Sequence, residues 1–280
     1  MPRTLLLTAS AMIAFAANSV LCRLALGRAL IDPASFAAVR VITAAATLLI
    51  IVLPRWRARG RARGNWRSAG VLLAYLISFS FAYRSLSAGT GALILFGAAQ
   101  LTMIGTALQG GETFSLLGRF GFLLAAVGLV ILVAPGVTAP NPVGALLMAI
   151  AGLAWGIYSL LGRGGGDPLE VTVNNFIYLV PCVLALSAGF AAERHMSWNG
   201  VACAAASGSI ASGLGYVAWY AAQKRLSAIS AATVQLSVPV IAAIGGLALM
   251  SEHVTLRLVL ASFATLGGIA VVLTQRTPGR

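Results

Sequence analysis

The side chains able to do chemistry in this sequence are aromatic rings and amides set inside long apolar runs. Tyr75 and Phe79 are four apart with Tyr83 one turn further, which puts three rings in one stripe of a helix. Trp155 and Tyr158 are three apart, as are Tyr216 and Trp219, with Tyr220 beside them. A wall of Tyr and Trp can stack an apolar or aromatic body while its OH and NH groups orient a polar part. Core packing or an interfacial belt is the alternative reading of such rings. Tyr83, Trp198 and Tyr220 stand near the ends of their runs and are assigned to the belt, whereas Tyr75, Phe79, Trp155, Tyr158, Tyr216 and Trp219 are candidates for a binding cavity.

Three amides also sit within apolar runs: Asn18, Gln100 and Gln235. An unpaired amide in hydrocarbon costs roughly 2–7 kcal/mol, so each must face a partner helix or a wet cavity. Asn18 is the preferred ligand for a substrate's polar end. Arg40 is the one basic residue well inside a run, about two turns from its start, and is expected to snorkel toward headgroups; a carboxylate-binding role is the alternative. Glu112 and Glu252 each precede an apolar run and are expected to cap helix N-termini rather than carry protons. The two histidines, His195 and His253, fall outside the runs, and no carboxylate pair, nucleophile motif or metal-ligand spacing lies within them, so no enzyme is expected and no cofactor or metal. Cys22, Cys182 and Cys203 are odd in number and sit in apolar runs, which fits small buried hydrophobes.

The elements that position these residues are membrane spans. The chain is 59% hydrophobic and 9% charged, with a mean hydropathy of +0.94, outside the range of soluble domains. A spanning helix needs roughly 20 mostly apolar residues, and breaks in the sequence predict ten: 4–26, 34–53, 68–86, 89–109, 115–134, 143–162, 169–190, 200–222, 229–250 and 255–274. The first is read as a retained span rather than a cleaved leader. The net charge of +13 is assigned to topology and anionic lipid, with no nucleic acid as partner. Placing both termini in the cytoplasm collects Arg3, the six arginines between Arg55 and Arg67, Arg119, Arg163, Lys224, Arg225, Arg276 and Arg280 on the inside.

The spans are duplicated. A shift of 140 positions carries Leu86-Ser87-Ala88 onto Leu226-Ser227-Ala228, Glu112 onto Glu252, Gly128 onto Gly268 and Arg23 onto Arg163. The repeats divide the chain into residues 1–137 and 138–280. Because each holds five spans, they cross the membrane in opposite senses, a plan of secondary transporters.

These patterns resemble the drug/metabolite transporter superfamily, specifically its EamA-type ten-helix exporters. The most specific residues are Gly110-Gly111-Glu112-Thr113 with the Gly-rich run to Gly128, Met250-Ser251-Glu252-His253 with the run to Gly268, and Leu153-Ala154-Trp155-Gly156. The sequence departs from the family at Phe15-Ala16, which replaces the Trp-Gly signature in the first half, and at Ser251, where Gly is usual before the Glu. The resemblance implies a cavity lined by helices one, three, four, six, eight and nine, and export of amino acids or related metabolites. It also leaves Asn174, Asn175 and Tyr178, on helix seven, to structural roles.

The expectation is therefore an all-α integral membrane protein of ten helices in two inverted five-helix repeats. It would act as a multi-pass carrier of the bacterial inner membrane, exporting amino acids with aromatic or other apolar side chains by alternating access, as uniporter or exchanger. Its partners would be the small substrate and the lipid bilayer, with no obligatory protein partner. Efflux of lipophilic cations on the same fold is the alternative; a channel would need a polar pore ring, which the sequence does not offer.

Overall fold

The computed structural model describes residues 2–59, 64–111, 115–162, 167–226 and 228–274. Helices make up nearly all of it, and among these residues the only strand-like pairing is an isolated bridge between Ile31 and Met196. The helices are α1 (Pro2–Gly27), α2 (Pro33–Arg59), α3 (Trp66–Ala82), α4 (Ala88–Gln109), α5 (Leu116–Val133), α6 (Pro142–Leu161) and α7 (Pro168–Gly189). Then come α8 (Trp198–Gln223), α9 in two pieces (Ala228–Gln235 and Ser237–Met250) and α10 (Leu256–Thr274). All but α3 are long and apolar enough to cross a membrane by themselves, and α3 is a shorter apolar helix of 17 residues. The large side chains left exposed, such as Leu123, Val130, Leu260 and Phe263, suit a surface solvated by lipid.

Short polar residues start the helices where the sequence puts them. The side chains of Asn65, Ser87, Ser115, Asn141, Asp167 and Ser197 each accept a backbone N–H of the helix that follows. Proline fills the first position of α6 and α7, where no N–H is needed. Three local features differ from the sequence expectation. α2 does not stop at residue 53 but runs through Pro54 to Arg59, since a proline near a C-terminus displaces only the last turn. Arg55 thereby comes within 3.7 Å of Asp167 at the start of α7. The middle of α8, Ser207–Leu214, winds as a π-helix. α9 breaks at Leu236, three residues before Pro239, whose missing N–H removes the bond that would join its two pieces. Pro181, by contrast, leaves α7 continuous.

α5 and α10 pack along their lengths through small residues. A Cβ on Gly121 would lie 2.7 Å from the Gly268 carbonyl oxygen, one on Gly128 would lie 2.7 Å from the Thr265 nitrogen, and one on Gly268 would lie 2.6 Å from the Ala125 nitrogen. The contacts are reciprocal: 128 meets 265 and 125 meets 268, the pattern of a two-fold relation under the 140-residue shift. Thr265 and Ala125, exchanged by that shift, are joined by a 3.5 Å hydrogen bond from the Thr265 hydroxyl to the Ala125 carbonyl.

Two stability predictions follow from this geometry. Gly128→Val or Gly268→Val forces α5 and α10 apart and costs about 1–3 kcal/mol, read as a lowered thermal midpoint in detergent, whereas Gly267→Ala, facing open space, leaves it unchanged. Ser251 holds φ +54 at the end of α9, a left-handed conformation that costs an L-residue about 1–2 kcal/mol. Ser251→Gly is expected to raise the same midpoint, and an unchanged or lower value counts against strain at that residue.

Candidate functional site

Six helices meet at the centre, where α4 adds Leu95 and Phe96, and four of the others each deliver an aromatic pair or an aromatic–amide pair, because each pair is spaced by about one helical turn. α1 brings Phe15 and Asn18, α3 Tyr75 and Phe79, α6 Trp155 and Tyr158, and α8 Tyr216 and Trp219. Trp155 is the hub of the cluster. Its ring centroid lies 5.1 Å from Tyr75, 5.9 Å from Tyr158, 5.8 Å from Tyr216 and 6.4 Å from Phe15. Phe15, in the place of the first-half tryptophan, sets its ring edge-on to Trp155, Tyr216 and Trp219 at once.

The sixth contributor is Arg40 of α2, and here the sequence expectation is corrected. Arg40 does not snorkel; it is 1% exposed and lines a central cavity with Asn18, Tyr75, Phe79, Trp155 and Tyr216. A charged side chain deep in a bilayer costs on the order of 3 kcal/mol, and the surroundings offset part of that. The guanidinium carbon stands 4.8 Å from the centroid of the Phe79 ring and 5.5 Å from that of Tyr75, cation–π contacts worth about 0.5–2 kcal/mol each. Its Nε donates to Ser212 Oγ at 3.3 Å and its Nη2 to the Tyr75 hydroxyl oxygen at 3.2 Å. Among the described residues Nη1 has no hydrogen-bond partner.

The π-helical turn of α8 supplies the first of these partners and, through Asn18, braces the second. A π-turn carries one more residue than an α-turn and so re-aims the side chains around it. Ser212 reaches Arg40, and Ser207 donates to Asn18 Oδ1 at 2.6 Å. Gly208 lets the two backbones touch: an added Cβ would run into Thr43 Oγ1 and the Arg40 carbonyl oxygen. Asn18 Nδ2 in turn donates to the Tyr75 hydroxyl oxygen at 3.5 Å. The only hint of Arg40's place in the sequence is its being the lone cation within a run; the π-turn that holds it leaves no recognisable pattern.

The other expected site residues divide by position. Tyr158 and Trp219 line a second cavity of about 80 Å³ and, with Gln235, Trp219 lines a third of about 250 Å³; Trp155 borders both of these and the central one, which is about 20 Å³. Gln100 lies outside all three and donates to the Ala232 carbonyl at 3.4 Å, tying α4 to α9. Asn175 donates to Ser68 Oγ and to the Tyr158 hydroxyl, tying α7 to α3 and α6. Tyr83 and Tyr220 are not belt residues. Tyr83 is fully buried, 4.8 Å from Phe79 with its hydroxyl donating to the Ala88 carbonyl, and Tyr220 stacks on Tyr216 and shares a 2.9 Å hydrogen bond with Thr172. Trp198 is 87% exposed.

The two ends of the bundle differ. At one, Arg23 Nε and Glu252 Oε1 are 2.8 Å apart, Arg23 also donates to the carbonyls of Tyr83 and Arg84, and Glu252 Oε2 accepts the Ala88 N–H at 2.9 Å. Glu252 therefore does cap a helix N-terminus, but that of α4 rather than of the helix it precedes, because the chain folds it back over Gly246. Glu112 and Arg163, the residues 140 positions from Glu252 and Arg23, lie outside the described residues. The larger two cavities reach the opposite end, beside Ser159, Gly162 and Gln223.

Comparison with known proteins agrees with this architecture. A family model described as the EamA-like transporter family matches residues 142–274. An uncharacterized protein of Pseudomonas aeruginosa is 49% identical over 274 residues, which span 98% of this chain and 96% of that one. A protein of known crystal structure, 18% identical, superposes with a TM-score of 0.63 over 96% of this chain and 97% of its own, a likeness of fold. The chain belongs to the EamA-like transporter family of the drug/metabolite transporter superfamily, and is an all-α, multi-span membrane transporter.

Proposed function

We propose that this transporter is a secondary carrier exporting amino acids with aromatic or other apolar side chains, and related small metabolites, across the bacterial inner membrane. The observation that carries the reading is the aromatic cluster around Trp155, which encloses a few fixed polar groups at Asn18, Tyr75 and Arg40. Rings offer contact area to an apolar body, and the polar groups fix the other end of the molecule. Among the described residues no carboxylate lines the three cavities, which supports uniport or exchange over proton coupling.

The mechanism proposed is alternating access of two inverted halves, residues 1–137 and 138–280. With both termini in the cytoplasm, the Arg23–Glu252 cluster closes the outer rim and the cavities beside Gln223 reach inward. The reciprocal contacts of α5 and α10 supply an axis about which the halves can rock. Lipophilic-cation efflux is the second reading, favoured by the aromatic walls and opposed by the positive charge of Arg40 in the central cavity.

Uptake of labelled amino acids into proteoliposomes distinguishes the readings. Saturable flux of an aromatic amino acid, indifferent to a pH gradient and reduced at least ten-fold by Asn18→Ala and Trp155→Ala, is expected. Flux of lipophilic cations alone would replace the assignment with drug efflux. A second experiment addresses the motion: in a background lacking Cys22, Cys182 and Cys203, Arg23→Cys with Glu252→Cys joined by a short reversible thiol crosslinker is expected to stop transport, and release of the crosslinker to restore it. Unchanged transport in the crosslinked protein retires the rocking model.

A further inference from the structure

We infer that Arg40 is an anion anchor, and that the group this site recognises by charge is a carboxylate: its ligands are amphipathic organic carboxylates, with or without an ammonium group. The inference deepens the carrier reading above and rests on it. Arg40 is buried, lines the central cavity, and keeps Nη1 free of any hydrogen bond. Removing a guanidinium from water and leaving one edge unpaired is costly unless something supplies the missing acceptor. Of the other three donors two are held: Ser212 takes the Nε proton and Tyr75 takes one of the two on Nη2. A fork fixed in this way is suited to planar oxyanions.

No acid of the described protein neutralises it. Glu252 and Asp167 form their ion pairs with Arg23 and Arg55. Asp32 accepts the backbone N–H groups of Ser35 and His195. Glu170 is in the first turn of α7 and Glu193 in the short turn after it. The neighbourhood supplies a second donor instead. The Tyr75 hydroxyl oxygen accepts from both Arg40 and Asn18, so the two lone pairs are used while its own proton has no acceptor among the described residues. Tyr75 and Arg40 line the same cavity, and between them offer two donors to an anion.

An ammonium meets no carboxylate among the residues lining this cavity and is repelled by the same guanidinium. The amino group of an amino acid is therefore tolerated beside the aromatic faces rather than required. At about 20 Å³ the central cavity holds roughly one water, so a carboxylate reaches Arg40 when Trp155, the wall shared with the neighbouring cavities, moves aside. The apolar body then lies among Tyr158, Trp219 and Tyr220.

The test is calorimetric titration of the detergent-purified full-length protein with three probes sharing one aromatic body: 3-phenylpropionate, its uncharged amide, and phenylalanine. The wild type is expected to bind 3-phenylpropionate at least as tightly as phenylalanine and at least ten-fold more tightly than the amide. Arg40→Gln is expected to weaken the two carboxylates at least ten-fold and leave the amide unchanged, with Arg40→Lys intermediate. Equal affinity of acid and amide in the wild type overturns the anchor, as does an Arg40→Gln protein that keeps its preference for the acid. Should Arg40→Gln fail to fold, the wild-type comparison of acid with amide decides. If the amide and phenylalanine bind without any preference for the acid, the anchor alone fails; if none of the three binds, the aromatic-cavity reading fails with it.

Discussion

A guanidinium in the middle of an apolar bundle constrains everything around it. Arg40 is almost wholly buried, so its neighbours supply hydrogen-bond acceptors for Nε and Nη2 and ring faces for the guanidinium. The π-turn of α8 brings Ser212 to Nε, and the glycine at 208 lets α2 and α8 come close enough for the contact to form. The same turn sends Ser207 to Asn18, which fixes the amide that reaches Tyr75. One buried charge thus explains an irregular helix, a close backbone contact and the orientation of two polar side chains.

The ends of the bundle are held by a different kind of contact. The cluster of Arg23 and Glu252 joins α1, the turn between α3 and α4, and the turn between α9 and α10, and it is only partly buried. A pair with some water access contributes little to overall stability, which suits the role of a rim that opens and closes in the mechanism proposed above. The α5–α10 contact is the opposite case, closely packed through glycines, and in the proposed rocking it is the contact suited to remain intact.

Much of this was legible in the sequence. Apolar runs of spanning length gave the helices, and one-turn spacing gave the aromatic pairs that meet at Trp155. Asn18 was readable because an amide in hydrocarbon must have a partner. What was not readable depended on one helix's position against another. Arg40 lies close enough to the start of α2 that snorkelling was the simpler reading, and nothing local in Ser207–Leu214 announces a π-turn. Tyr83 and Tyr220 stand near helix ends, where a belt is the usual place for tyrosine, yet Tyr83 is buried against Phe79, and Tyr220 is held by Thr172 of α7 and by the Tyr216 ring. Helix α2 beyond Pro54 was missed because proline is a weak stop when only a last turn follows it.

The break in α9 has a wider consequence. Its counterpart under the 140-residue shift is Phe96, where α4 runs straight through, and the proline at 239 corresponds to Ala99. Arg40 likewise corresponds to Val180, and the π-turn to a regular stretch of α3. Under the alternating access proposed above, two identical halves would relate the inward- and outward-open forms by a two-fold rotation and give them equal energies, and the empty protein would divide its time evenly between them. Unequal halves remove that degeneracy. A difference of only about 1.4 kcal/mol sets a ten-to-one ratio of occupancies, so in that mechanism the divergence of the repeats would give the unloaded protein a resting side, and a ligand's task would include bringing the less populated form within reach.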